Sequence, residues 1–170
     1  MTEARAGAET EGASAEPTSA LAPPPLARMG VAVLALVGLL IATYMLLHRL
    51  GVVGRLICGP EGACEIVQSS KWATFLSLPV PLVGVLGYLV LLVVAVLGLQ
   101  PPWARDRRVS VVLVVLSGIA VAFTAYLTAI EAWVIHAWCR WCLGSAAVIV
   151  LILACALVDL VRVSRREEAL

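Results

Sequence analysis

Charge is scarce in this chain of 170 residues. Asp, Glu, Lys and Arg make up 14%, and they nearly cancel to a formal net charge of +1. Without a basic excess there is no electrostatic footprint for nucleic acid. A glycine-rich phosphate cradle is also missing, as is any internal repeat, which excludes the usual nucleotide sites and repeat architectures. What fills the sequence instead is apolar: 62% hydrophobic residues and a mean hydropathy of +1.02. That composition excludes a soluble globular domain.

Four stretches are long enough to cross a hydrocarbon core, which takes roughly 20 apolar residues in a helix. They run near Met29–Leu47, Val80–Leu99, Val109–Ile130 and Trp141–Val161. The connections are short, so the expected fold is all-α: a bundle of four transmembrane helices in one domain, residues 28–163. Between the first two helices lies the one long loop, with turn signals at Gly51, Gly54, Gly59-Pro60 and Gly62. Its later part, Ile66 to Leu78, mixes apolar with polar residues and predicts a short interfacial helix with Trp72 at headgroup depth. Pro79 and Pro81 suit the start of the second span, and Gly84 and Gly87 suit close helix contact.

Residues 1–27 are rich in Ala, Glu, Pro and Thr without an apolar period, and read as a disordered cytoplasmic tail; 164–170 form a second tail. The leader is acidic (Glu3, Glu9, Glu11, Glu16), unlike a secretory signal, so the first span is expected to stay uncleaved. Eight basic residues (Arg5, Arg28, Arg105, Arg107, Arg108, Arg162, Arg165, Arg166) flank one side, against Arg49, Arg55, Lys71 and Arg140 on the other. The bias places both termini in the cytoplasm and the cysteine-bearing loops outside an inner (plasma) membrane. Disulfides persist there.

Four of the five cysteines form two pairs in those loops. Cys139 and Cys142 are spaced i, i+3 at the entrance of the last span, one face of a helix N-terminus. Orphan N–H groups and the helix dipole favour a thiolate there, and Arg140 adds positive charge. Trp138 and Trp141 flank the pair, either as interfacial anchors or as a flat wall for a ring-shaped ligand. Cys58 and Cys64 enclose Gly-Pro-Glu-Gly-Ala, a turn able to close a small disulfide loop. Alone it reads as a structural clip; beside the other pair it reads as half of a thiol relay. Zinc ligation is the competing use of four cysteines, but the halves are two membrane helices apart. Cys155 reads as a small buried hydrophobe. His48, His136 and Glu131 sit at membrane ends, where proton transfer and plain solvation both suit them, and Asp159 is placed to pair with Arg162.

From about Arg28 to Val161 the chain resembles the vitamin K epoxide reductase family, in its bacterial disulfide-forming branch. The loop pair Cys58/Cys64 precedes Ser70-Lys71-Trp72-Ala73, similar to the family's Ser-Arg-Trp-Gly stretch; Cys139-Arg-Trp-Cys142 opens the fourth helix. Gly84 and Tyr88 match a Gly-x-x-x-Tyr feature, and Tyr126-Leu127 precedes Cys139 at a familiar spacing. The resemblance implies that Cys58 and Cys64 are a shuttle pair and Cys139 and Cys142 the active pair, with Ser70 nearby and Cys142 touching a quinone (menaquinone or ubiquinone). Cys142, Trp138, Trp141 and Tyr88 are the expected quinone contacts, and no metal is expected. Vertebrate members carry a Tyr where Ala146 stands, and an Asn where Val80 and Pro81 stand, so plain quinone reduction is the expected chemistry. The chain ends at Leu170 without a fused thioredoxin-like domain, which implies a separate thioredoxin-fold, DsbA-like partner. The expected activity is thiol:quinone oxidoreduction in support of disulfide formation. A DsbB-like oxidase has the opposite order of cysteine pairs, and a non-catalytic membrane scaffold is the alternative of a different class.

Overall fold

The structure, a computed structural model, describes residues 26–54, 63–75, 78–104 and 106–168. Cys58, the Gly59-Pro60 and Gly62 turn signals, and the tail before Leu26 lie outside the described residues. Helix α1 spans Leu26–Arg49 and α2 spans Ala63–Ser69; a 3-10 turn at Lys71–Ala73 follows. A two-residue hairpin, β1 (Thr74–Phe75) against β2 (Leu78–Pro79), leads into α3 (Val80–Leu97). Helix α4 (Arg107–Ile130) runs into a π-helical turn at Glu131–Ile135, and α5 spans Arg140–Glu168, past residue 163. Four segments are long and apolar enough to cross a membrane: Leu26–Arg49, Val80–Leu97, Arg107–Ile135 and Arg140–Arg166. This is a multi-pass, all-α membrane bundle.

Local chemistry sets the helix ends. Pro79 caps α3 and Pro81 lies in its first turn, where a missing N–H leaves nothing unsatisfied. Asp106 caps α4, its Oδ1 accepting the Arg108 N–H at 2.8 Å. His136, in the left-handed region at φ 54°, ends the π turn, its N–H donating to the Glu131 carbonyl.

The short helix between the first two spans exists, but starts earlier than Ile66. It takes in Cys64 and stops at Ser69, because Ser69 Oγ and Ser70 Oγ donate back to the carbonyls of Ile66 and Val67, at 3.2 and 2.7 Å, and Ser70 is extended. Such local hydroxyl bonds compete with helix continuation.

In lipid, helices associate through close packing rather than exclusion of apolar groups from water. Helix α1 packs on α3 and α5, and α5 on α4, around Val31, Ala35, Leu91, Ala95, Leu113, Ile152 and Ala156. Gly84 meets Ala42 as expected, whereas Gly87 faces open space. The tightest approach is Gly38, where an added Cβ would overlap the Tyr88 ring. Helices α3 and α4 touch sparingly, and a cavity opens between them.

At the end of the bundle away from the cysteines, Asp159 pairs with Arg28 at 2.7 Å rather than with Arg162. Arg162 is exposed, while Asp159 faces inward. Arg28 is fully buried, and all five of its N–H donors are used: on Asp159 Oδ2, on the carbonyls of Gly98, Trp103 and Asp106, and on Ser110 Oγ. Ser110 Oγ also donates to Asp159 Oδ2 at 2.7 Å. A charge this deep requires a counter-ion and complete hydrogen bonding. The cluster ties α1, the α3–α4 turn, α4 and α5 together.

Candidate functional site

Three short pieces converge at the other end: α2, the π turn after α4, and the first turn of α5. Cys64 and Cys139 are both fully buried there, against Met45 and Val67. Cys64 is disulfide-bonded, while Cys139, Cys142 and Cys155 are free thiols. The Cys139 thiol points at Cys64 Sγ across 3.4 Å. Two sulfurs from different loops thus lie at the separation from which thiol–disulfide exchange proceeds.

Cys139 occupies the cap of α5. Its carbonyl accepts the Leu143 N–H at 3.0 Å, the first bond of the helix, and its Sγ accepts the Cys142 N–H at 3.4 Å. That is the place where Ser or Asp commonly satisfies an orphan N–H. The Cys142 thiol's hydrogen bond holds Cys139 below the ordinary cysteine range, helped by the backbone N–H groups of Cys142 and Trp141. Burial and the negative charge of Glu131 push the other way without prevailing. A thiol so placed is a better nucleophile and leaving group at neutral pH.

Glu131 is not solvated. It is 4% exposed, at the start of the π turn, and its Oε2 accepts the Cys139 N–H at 3.3 Å. The Cys142 side chain is its other hydrogen-bonding neighbour. Its position near a helix end suggested solvation; the turn's wider winding and the return of the chain at His136 bring it under α5 instead.

A cavity of about 670 Å³ adjoins this cluster, with a predominantly apolar wall from all four long helices. Its few polar side chains include Gln68, Ser70, Tyr88, Glu131 and Cys142. The Tyr88 hydroxyl is spoken for, 3.0 Å from the Ser145 carbonyl and 2.8 Å from Ser145 Oγ, so it joins α3 to α5. Gln68, 7% exposed, is different: its Oε1 has no hydrogen-bond partner, and its Nε2 meets only Met45 Sδ at 4.0 Å. Trp72 also lines the cavity, although the sequence placed it only at headgroup depth.

The structure brings Cys64, Cys139 and Cys142 together at one end of the bundle, with Ser70 and, from mid-bundle, Tyr88 lining the adjoining cavity. It does not bring Trp138 or Trp141 to the cavity. Trp138 is exposed on the loop before α5, and Trp141 stacks at 4.9 Å on Tyr44 of α1. Cys155 is half-buried with Sγ beside Gly30, and His136 is exposed. Glu131 and Gln68 are the site residues whose burial the sequence did not reveal. Gln68 carried no signal beyond its place in a loop; Glu131 stands eight residues before Cys139, a spacing that a single helix would not bring together. Residues 29–157 match the family model described as Vitamin K epoxide reductase family.

Proposed function

The chain belongs to the vitamin K epoxide reductase family, a family of membrane thiol–quinone oxidoreductases, and on that premise we propose that it reoxidises a separate thioredoxin-fold, DsbA-like protein at the expense of a membrane quinone. The observation that carries this reading is the 3.4 Å approach of Cys139 to Cys64. A scaffold has no need of an unbonded thiol aimed at a disulfide.

The geometry supports the following sequence of steps. The partner's dithiol opens the disulfide of Cys64, whose other half we assign to Cys58. The Cys64 thiolate attacks Cys139 of an oxidised Cys139–Cys142 pair, forming a Cys64–Cys139 bond and releasing Cys142. Cys58 then attacks Cys64, restoring the outer disulfide and leaving Cys139 and Cys142 reduced. That is the redox arrangement the described cysteines show: Cys64 bonded, Cys139 and Cys142 free. Exchange runs through the same pair of sulfurs in either direction, so the contact serves both.

A quinone supplies the final sink, accepting two electrons and two protons. The cavity fits such a group: it is apolar enough for an isoprenoid ring compound, and its polar side chains gather where Cys142, Glu131, Ser70 and Gln68 line it. Cys142 is the sulfur that lines the cavity, and Cys139 the one that faces Cys64. A DsbA-like oxidase sits near about −120 mV, so a quinone is a suitable acceptor: every ~30 mV between two-electron couples is worth about 1.4 kcal/mol.

In orientation, we assign the cysteine end to the outside of the plasma membrane and both termini to the cytoplasm. Arg28 no longer counts as a solvated flanking charge, but seven basic residues against four preserve the bias. Purified protein tests the reading, with thiols counted before and after addition of quinone. Single Cys→Ala changes at 58, 64, 139 and 142 each abolish thiol-dependent quinone reduction. A fully active Cys142→Ala variant, or native thiols that quinone leaves untouched, overturns it.

A further inference from the structure

We propose that Glu131 is a catalytic residue that carries the Cys142 proton to the oxidant in the cavity. The inference rests on the function proposed above and deepens it. Oxidation of the inner dithiol makes one S–S bond, sends two electrons to the quinone and frees two thiol protons, which end on its two oxygens. The wall's other polar side chains are neutral amide, hydroxyl and phenol groups, and among the described residues no second carboxyl or imidazole lines it, so the carrier at the sulfur has one candidate. Glu131 is the carboxyl group that touches both the Cys142 side chain and the cavity.

Three observations support this assignment. First, the residue is buried, and no ion pair among the described residues involves it. Burying a carboxylate without a cation is costly. Second, its structural duty is slight. It accepts one N–H, from Cys139, at 3.3 Å, which an uncharged amide would do as well. Third, its two bonding neighbours are the two sulfur-bearing residues whose protons leave. The π turn that aims it inward is a device often found at functional sites.

The titratable groups facing Glu131 are Cys139 and Cys142, from the entrance of α5. Around the shared cavity, α1 contributes Met45 and α2 Val67 and Gln68, none of which titrates; α3 contributes Tyr88, held by Ser145. A pH dependence removed with Glu131 therefore belongs to this carboxyl and its two thiols.

Glu131→Gln preserves size and the acceptor for Cys139 N–H but carries no proton. With menadione and decylubiquinone as probes, pre-reduced Glu131→Gln protein reduces quinone about 10²-fold or more slowly than the native chain, and Glu131→Asp recovers part of the loss. Mixed-disulfide formation between Cys64 and Cys139 is not slowed, because loss of the Glu131 charge only favours the Cys139 thiolate. A second readout needs no quinone: the pH–rate profile of Cys142 alkylation, in which Cys139, Cys142 and Glu131 titrate together, loses the Glu131 step in Glu131→Gln and keeps the coupled thiol steps. A Glu131→Gln chain within twofold of native turnover overturns the inference, as does one that slows Cys64–Cys139 exchange equally or leaves the alkylation profile unchanged. A native chain that reduces neither quinone overturns the proposed function instead.

Discussion

Cys64 and Cys139 lie 75 residues apart in sequence and 3.4 Å apart at their sulfurs. Nothing links their elements covalently except the bundle between them. The contact is therefore a property of the whole fold, and it specifies which two cysteines exchange. In a Cys58→Ala, Cys142→Ala chain, mild oxidation joins Cys64 to Cys139, and peptide mapping by mass spectrometry finds that crosslink as the dominant product. If both thiols stay alkylatable under the oxidant, the contact does not serve exchange.

Cys139 titrates below the ordinary cysteine range, chiefly because the Cys142 thiol hydrogen-bonds it. A lowered pKa means that the thiolate persists to more acidic pH, so alkylation of Cys139 has its midpoint below the about 8.5 of a free cysteine. Cys142→Ala removes the largest influence, and the burial and Glu131 charge that remain outweigh the backbone N–H bonds, so the midpoint moves up to the free value or above it. Rate against pH, read at the Cys139 peptide, checks this. A midpoint unmoved or lowered by Cys142→Ala contradicts the cause assigned.

The opposite end is a test of folding rather than chemistry. Removing one partner from a buried, fully bonded ion pair leaves an uncompensated charge and costs about 3–5 kcal/mol, whereas replacing both with apolar residues of similar size is often neutral. Asp159→Leu and Arg28→Met singly should each lower stability by that order, and the double change should recover most of it. Unfolding in detergent by added denaturing surfactant measures both. Single changes costing below about 1 kcal/mol would mean that water reaches the cluster.

That cluster shows where sequence reading stops. Hydropathy was enough for four spans, since lipid demands an unbroken apolar run in each. The i, i+3 spacing at Cys139 and Cys142 was enough for a reactive pair. Which face of each helix turns inward was not legible. Asp159 has Arg162 three residues away, and only the rotation of α5 against α1 sends it to Arg28 instead. Glu131 was obscured for a related reason: a π turn changes the angular spacing of side chains, so a position counted at 3.6 residues per turn is read onto the wrong face. Trp138 and Trp141 had the right neighbours in sequence but do not line the cavity.

Gln68 combines a cost with a use. Its buried Oε1 accepts no bond, an arrangement that destabilises a protein by about 1–3 kcal/mol. Hydroquinone hydroxyls are donors, and Gln68 lines the cavity that would receive them. Gln68→Met keeps the volume and removes the orphan. The variant should be more stable than the native chain in the absence of quinone, by about 1 kcal/mol or more, as its unfolding midpoint would report. Its product-inhibition constant for hydroquinone should weaken about 5–10-fold, the worth of one neutral hydrogen bond of about 1–1.4 kcal/mol, while KM for quinone, which has no donor to offer, stays within twofold. Stability and binding then move in opposite directions, which a residue serving only to pack α2 would not produce. Loss of both together would place Gln68 among the structural contacts of the loop.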